Sequence, residues 1–340
     1  MRKLLNTLYV TTPDAYLSKD GLNVVVSVKQ EEVFRIPIVN IESVITFGYT
    51  GASPGLMKLC SDYGVSLAFM SPNGRFIGRM QGPTKGNVVL RQTQYERSND
   101  DAFALALSRI MISGKIHNSR NVLKRCLRDH GSNQKIESAV RSLEFRKISA
   151  LRAETLDGLR GHEGEAAAEY FGVFSELILN QREDFAFTCR TRHPPKDAFN
   201  ALLSFSYALL ANDVQSALEA VGLDPYVGFM HTVRPGRASL ALDMMEELRA
   251  YLGDRLALSL INRRQVCIKD FICQTDESIV MTDNCRRIVI QAWQKRKKEL
   301  MTHPFLNEKI PVGLLPYAQA MLLARFLRGD LDNYPVFLML

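Results

Sequence analysis

No stretch of this sequence approaches 18 uninterrupted apolar residues. Even its richest segment, PVGLLPYAQAMLLARFL, is broken by Pro316, Gln319 and Arg325, so a helical membrane span is not expected. The opening MRKLLNTLYV starts basic, but Asn6 and Thr7 interrupt its apolar run and no small-residue cleavage site follows, so it does not read as a signal peptide. A cytoplasmic chain with no membrane partner is the expectation. Cysteine is sparse, and its six positions (Cys60, Cys126, Cys189, Cys267, Cys273, Cys285) contain no Cys-x-x-Cys pair. Zinc-ribbon spacing is therefore absent, and reduced core thiols are expected. There is no internal repeat at about 20 to 50 residues and no low-complexity linker. Nor is any segment poor enough in apolar groups to be disordered: 46% of residues are hydrophobic and 23% charged.

What is present is enough chain for two domains, since 340 residues exceed one ordinary core. Lys plus Arg exceeds Asp plus Glu by 43 − 36 = 7, which favours a polyanionic partner without requiring one. The excess is unevenly placed. From Arg109 to Lys147 ten basic residues face three acids, a density suited to a phosphate backbone. From Glu154 to Asp184 eight acids face only Arg160 and Arg182, a stretch able to supply metal ligands.

The first part of the chain reads as strands. Leu22, Val24, Val26 and Val28 alternate in GLNVVVSVK, and IPIVNIESVITFG continues the β-branched pattern. Ser53-Pro54 opens a short helix with Leu56, Leu59, Cys60 and Tyr63 at apolar spacing and Gly64 as its stop. VSLAFM, the turn SPNG and RFIGRMQG predict a hairpin, because Asn73-Gly74 takes positive φ cheaply. After about Gln92 the period changes to 3.6, with Phe103, Leu105, Leu107, Ile110 and Met111 opening a run of helices. The pattern predicts an α+β chain: a mainly β N-terminal domain over 1–92, a linker over 93–102 and an α-helical domain over 103–340.

Two segments could carry chemistry. In RGHEGEAAAEYF, a helix from about His162 puts Glu163, Ala167, Tyr170 and Phe174 on one face, pointing Glu163 inward. A buried glutamate is costly unless paired or metal-bound; the bland alternative is a surface glutamate on a frayed helix start. A zinc-protease H-E-x-x-H reading fails because the second His would fall at Ala166. In GLDPYVGFMHTVRPGRASLALDMMEELRAYLGD, Asp243 and Glu246 lie three apart on a helix, and His231 sits in the loop before it. An imidazole with carboxylates from separate helices suits Mn²⁺ or Mg²⁺ better than zinc. A lone structural His231, and Glu246 and Glu247 as solvent-facing helix acids, are the competing readings.

Two further segments could meet nucleic acid. RTRHPPKDAFNALLSFSYALL gathers Arg190, Arg192, His193 and Lys196 before a helix that Pro195 or Asp197 could initiate, with Tyr207 on the helix itself. The alternatives are a solvated basic loop and a core tyrosine with a wet hydroxyl. Lys295, Arg296, Lys297 and Lys298 follow Trp293, a run that is as a rule a solvated helix face.

Taken together, RGHEG with AAAEYF, GLDPYVGFMH with RPGRASLALDMMEELR, GKIHNSRNVL from Gly114, and PPKDAFNALLSFSYALL resemble CRISPR-associated protein one, the integrase and endonuclease of spacer acquisition. The likeness runs in order along nearly the whole chain, and QAMLLARFLRGDLDNYPVF is similar to its subtype I-C branch. The resemblance implies an N-terminal β-sandwich-like domain, an all-α catalytic domain and homodimerisation, which the strand-rich first 92 residues, lacking any cluster of acids with His, are expected to mediate. It further implies a smaller CRISPR-associated partner dimer in a hetero-hexameric integration complex, and double-stranded DNA, protospacer and CRISPR repeat, as substrate. It also implies Glu163, His231 and Asp243 as catalytic metal ligands for Mn²⁺ or Mg²⁺. Glu246, where some relatives carry Asp, is expected to assist, more readily through water than directly.

Such a site supports transfer of a captured 3′-hydroxyl onto a phosphodiester, with water in its place giving nicking. A metal-dependent repair nuclease and a non-catalytic nucleic-acid scaffold are the rival readings. A strand-transfer assay on a repeat plasmid separates the former, and unchanged binding without metal-stimulated product marks the latter.

Overall fold

The computed structural model describes residues 6–48, 51–71, 76–80, 82, 88–192 and 194–339. They form two compact units, Met1–Lys85 with Met281–Arg296, and Gly86–Val280 with Lys297–Leu340.

The first unit carries β1 (Asn6–Val10), β2 (Ala15–Asp20), β3 (Asn23–Val28), β4 (Glu31–Pro37), β5 (Ile41–Phe47), α1 (Pro54–Tyr63), β6 (Ser66–Met70) and β7 (Phe76–Met80). One sheet has the order β1-β5-β6-β7, parallel except for β7; the other is the antiparallel meander β2-β3-β4. Flanked on both sides by parallel neighbours, β5 is buried at all positions but Glu42, which explains its near-continuous apolar reading. The alternation expected around β3 is broken: Val25 is buried with Val24 and Val26, and Leu22 lies exposed in the preceding turn. Helix α1 starts as its residues dictate, the Ser53 side chain accepting the Leu56 N–H at 3.2 Å. It stops at Gly64, whose φ of 67° suits a residue without Cβ. The pairing of β6 with β7 gives the hairpin, though Asn73 and Gly74 of its turn lie outside the described residues. Leu17, Val24 and Val26 of the meander share one core with Val44 and Leu67 of the mixed sheet and with Leu56, Leu59 and Cys60 of α1.

The second unit opens with α2 (Val88–Ser98) and α3 (Asp101–His130), so the stretch expected as a linker is helical through Ser98. It continues with α4 (Gln134–Leu151), α5 (Leu156–Gly172), α6 (Ala198–Val221), α7 (Ser239–Leu248) and α8 (Arg255–Asn262). Beyond these come β8 (Phe271–Cys273), β9 (Ile279–Met281), α9 (Asp283–Lys298), β10 (Leu300–Thr302), β11 (Lys309–Pro311) and α10 (Leu315–Leu327). Most of α9 belongs to the first unit, where Gln294 donates to the Thr7 carbonyl at 3.2 Å. The antiparallel ribbons β8-β9 and β10-β11 correct the expectation of an all-α region: it is mainly helical. Helix α3 packs against α4, α5 and α7, which makes it the axis of the unit. The fold is α+β, with N-terminal β-sheets followed by a mainly helical region.

Two other expectations bear on the structure, and only that for the cysteines changes. Among the described residues no helix is long and apolar enough to cross a membrane. All six cysteines are free, but only Cys60 and Cys285 are buried; Cys189 and Cys273 are exposed, the first in a connecting segment and the second in the β8 ribbon.

Candidate metal centre

Helix α5 begins at Leu156, six residues before the expected start, because Thr155 caps it by accepting the Gly158 N–H at 3.0 Å. Glu163 is therefore in the middle of the helix, half-buried, on the face that carries buried Tyr170 toward Phe174. His231 lies in the loop before α7, and that loop is fixed from two sides. Buried Gln94 of α2 donates to the carbonyls of Asp224 and Val227 at 2.8 Å each and accepts the Asp224 N–H at 2.9 Å. Arg160 of α5 donates to the Met230 carbonyl at 2.6 Å. Gly228 presses the loop onto α7 so closely that a Cβ there would lie 2.6 Å from Asp243 Oδ2.

Asp243 closes this loop. Its Oδ2 accepts the N–H groups of Phe229 and Met230 at 2.7 and 3.0 Å, and its Oδ1 accepts the N–H of His231 at 2.9 Å. The same Oδ1 stands 2.6 Å from His231 Nδ1. A carboxylate accepts, so Nδ1 carries the proton and the Nε2 lone pair is left for a ligand. Both oxygens of Asp243 are thus spent, and the side chain is fully buried.

Glu246, one turn further along α7, turns the other way. Its side chain is 4% exposed, with Oε1 3.0 Å from Arg249 and Oε2 2.7 Å from the Lys115 ammonium of α3. Burial pushes its pKa up, but Arg249 and Lys115 outweigh this and hold the carboxyl at about 2. Lys115 also forms an ion pair with Glu163 Oε1, so one ammonium lies between the two carboxylates. The reading of Glu246 and Glu247 as solvent-facing acids is corrected: both are buried, because α7 is enclosed nearly all round.

Among the described residues no three His, Cys, Asp or Glu side chains converge as a preformed metal cage. The residues nevertheless fit a hard divalent ion. A cationic ammonium already occupies the space between two carboxylates, and it is what satisfies the buried Glu246 Oε2, at 2.7 Å. His231 Nε2 meets no hydrogen-bond partner among the described residues.

A second buried cluster adjoins the first. Residues Arg249–Asp254 make a π-helical turn between α7 and α8, a deformation frequent at functional sites. In it Asp254 accepts the hydroxyls of Tyr170 and Tyr207 at 3.0 and 2.5 Å, and burial raises its pKa to about 6. The Tyr207 ring lies between the guanidinium groups of Arg190 and Arg249, 5.4 and 5.1 Å from its centroid.

The expected DNA-binding group is largely absorbed here. Arg190 turns inward, donating to Asn200 Oδ1 at 2.7 Å and Ser204 Oγ at 3.0 Å, and burial lowers its pKa. Lys196 caps the loop at Asp276 and Glu277, Arg192 is exposed, and His193 lies outside the described residues. The basic run of α9 is split, since Lys297 is buried against Asp213 at 2.9 Å. Of the ten basic residues from Arg109 to Lys147, only Lys124 and Arg141 are without a polar partner among the described residues. Arg146 bridges Glu165 and Glu169 at 2.6 and 2.9 Å, and Lys135 meets Glu176 at 2.7 Å. Lys115, Lys135 and Arg146 therefore pair with carboxylates of the acidic stretch, while Arg120, Arg125, Arg128 and Lys147 pair with acids of their own stretch.

Sequence reasoning missed Lys115 and Arg249 as members of the site. The available signal was a lysine on the buried stripe of α3, one turn after Met111.

The model of the family described as "CRISPR associated protein Cas1" matches residues 8–295. A CRISPR-associated endonuclease Cas1 of Rhodospirillum rubrum is 50% identical over 98% of each chain, and one of Chlorobaculum tepidum is 47% identical over 99% of each. A solved Cas1 protein from Thermotoga maritima superposes with a TM-score of 0.83 at 23% identity, covering 96% of this chain and 97% of that one.

Proposed function

Because this chain belongs to the Cas1 family of CRISPR-associated endonucleases, we propose that it is a cytoplasmic, metal-dependent DNA integrase and endonuclease of spacer acquisition, of the subtype I-C branch. The observation that carries this reading is the pair Glu163 and Glu246 closed around a buried cation beside an imidazole whose Nδ1 is tied to Asp243. The ligand set we favour is Glu163 Oε1, His231 Nε2 and Glu246. This revises the expected set: Asp243, with both oxygens engaged by four donors, orients His231 instead of binding the ion.

A bound Mn²⁺ or Mg²⁺ would supply Lewis-acid stabilisation of the charge that develops on a phosphodiester. The chain's own residues do the rest. Asp243 fixes the tautomer of His231 and, through three backbone N–H groups, the loop that carries it. Arg249 keeps Glu246 ionised and aimed. In the transfer, the 3′-hydroxyl of captured DNA gives up its proton to solvent and its oxygen forms a bond to phosphorus as the repeat strand's P–O bond breaks, the departing oxygen taking up a proton from solvent to leave as a hydroxyl. Water as nucleophile gives a nick at the same site.

The substrate is double-stranded DNA, and the assembly is a homodimer joined by a smaller partner dimer of the same system. Strand β4 supports a dimer role for residues 1–92, being a sheet edge with Val33 and Phe34 exposed. Sedimentation at micromolar concentration tests it, a monomer arguing against. The activity is tested by incubating purified protein, with and without its partner, with DNA ends, supercoiled repeat plasmid and Mn²⁺. Joined product supports integration; nicking alone, equal on any plasmid, points to a repair nuclease, and binding without any metal-stimulated product to a scaffold.

A further inference from the structure

The proposed chemistry leaves Lys115 without a task. Its side chain is 12% exposed and contacts both Glu163 and Glu246, so two carboxylates, one ammonium and the Arg249 guanidinium form a formally neutral group in a poorly solvated place. A divalent ion added to that group leaves two uncompensated positive charges, which burial penalises heavily. One cation must leave.

The two cations differ in freedom. Arg249 is held by Glu246 at 3.0 Å and stacked on the Tyr207 ring, while Lys115 is a compact charge on a flexible four-carbon stem. The backbone beneath Lys115 is locked. Gly114 packs against Val336 with no room for a Cβ, and Asn118, one turn on, donates to the carbonyls of Glu247 and Phe337 at 2.7 and 2.8 Å. The two side chains are about equally exposed, 12% for Lys115 and 14% for Arg249, so it is the lack of a stacking partner among the described residues that leaves Lys115 the freer of the two to move.

We propose that Lys115 is an internal counter-cation that holds Glu163 and Glu246 in the metal-free protein and is exchanged for the divalent ion, its ammonium then passing to a phosphate of the bound DNA. The inference rests on the reading of Glu163 and Glu246 as ligands. After exchange the group keeps one excess positive charge from Arg249, and the displaced lysine adds another at its edge. A phosphodiester brings negative charge to that place, so metal and DNA raise each other's affinity, as reciprocal coupling requires.

The test is calorimetric titration of Mn²⁺ into the full-length chain, its Lys115→Met variant, and its Glu163→Gln and Glu246→Gln variants. Lys115→Met is expected to bind Mn²⁺ about tenfold tighter than the parent, a coupling of ordinary size. Equal or weaker binding overturns the proposal. Binding unchanged in Glu163→Gln and Glu246→Gln overturns instead the ligand reading beneath it. A second arm needs no variant: a saturating short DNA duplex is expected to tighten Mn²⁺ binding by the parent chain, and no change rules the exchange out.

Discussion

His231 Nδ1 lies 2.6 Å from Asp243 Oδ1, and the same carboxylate collects the backbone N–H groups of residues 229 to 231. In the proposed site Asp243 is thereby a support for the imidazole, and Glu246 is the acid of α7 that faces the candidate ion. The two acids should fail differently. Asp243→Asn keeps the shape and one acceptor, so Mn²⁺ affinity is expected to drop about 10 to 100-fold, with activity returning at saturating metal. Glu246→Gln is expected to stay inactive at any metal concentration. A Mn²⁺ titration of DNA cleavage by both variants decides; rescue of Glu246→Gln with none of Asp243→Asn would restore the opposite assignment.

Stability should depend on pH in both directions. Burial raises Glu247 to about 7 and Asp254 to about 6, from ordinary values of 4.5 and 3.8. The folded chain therefore holds protons that the unfolded chain has released, and stability falls as pH rises from about 4 through 7. Glu246, held at about 2, acts oppositely, its contribution being lost as pH falls below about 4.5. Thermal unfolding of the metal-free protein from pH 4 to 8 is expected to show the decline toward neutrality, and Glu247→Gln or Asp254→Asn each to flatten it. Parallel curves for all three proteins would contradict the assignment.

The C-terminal residues act as a strap over α7 and α3. Tyr334 Oη and the Phe337 N–H both donate to Glu247 at 2.5 Å, and the Met339 N–H donates to Asn118 at 2.7 Å. Gln319, which also donates to Glu247, is itself held by buried His303 at 2.9 Å. Removing residues 334–340 deletes the bonds made by Tyr334, Phe337 and Met339 and exposes the sites of Tyr334 and Phe337, a loss on the order of 5 kcal/mol from burial and hydrogen bonding together. Urea unfolding measures it. An unchanged midpoint would mean that the strap is ornamental.

DNA affinity should follow exposed cations and ignore buried ones. Arg190→Ala is expected to lower stability without changing how the dissociation constant varies with salt, because Arg190 is bonded to Asn200 and Ser204. Alanine at Lys124, Arg141 or Arg192, wherever that residue touches a phosphate, is expected to reduce the salt slope by about one. A salt series of fluorescence anisotropy separates the two groups; a lower slope for Arg190→Ala alone would reverse the assignment.

Local signals were legible where chain neighbours decide the outcome. Ser53-Pro54 and Gly64 bound α1, and Asp197 caps α6 by accepting the Asn200 N–H at 2.7 Å. The early start of α5 was missed because the cap, Thr155, stands far from the motif that drew attention. The fate of charges was not legible at all. Whether Arg146 reaches DNA or Glu169, and whether Lys297 points to solvent or to Asp213, depends on partners 23 and 84 residues away. Asp243 and Glu246 share a helical face by spacing, yet a loop descends on the first and α3 approaches the second. Only tertiary packing separates them.

The most direct measurement of the central claim follows a labelled DNA duplex into a supercoiled repeat plasmid with Mn²⁺ and the partner protein. Ends bearing a 3′-hydroxyl are compared with dideoxy ends, for the parent chain and for Glu246→Gln. The expected result is covalent joining by the parent chain with 3′-hydroxyl ends alone, and none after chelation or in Glu246→Gln. Joining by Glu246→Gln, or from dideoxy ends, would contradict it.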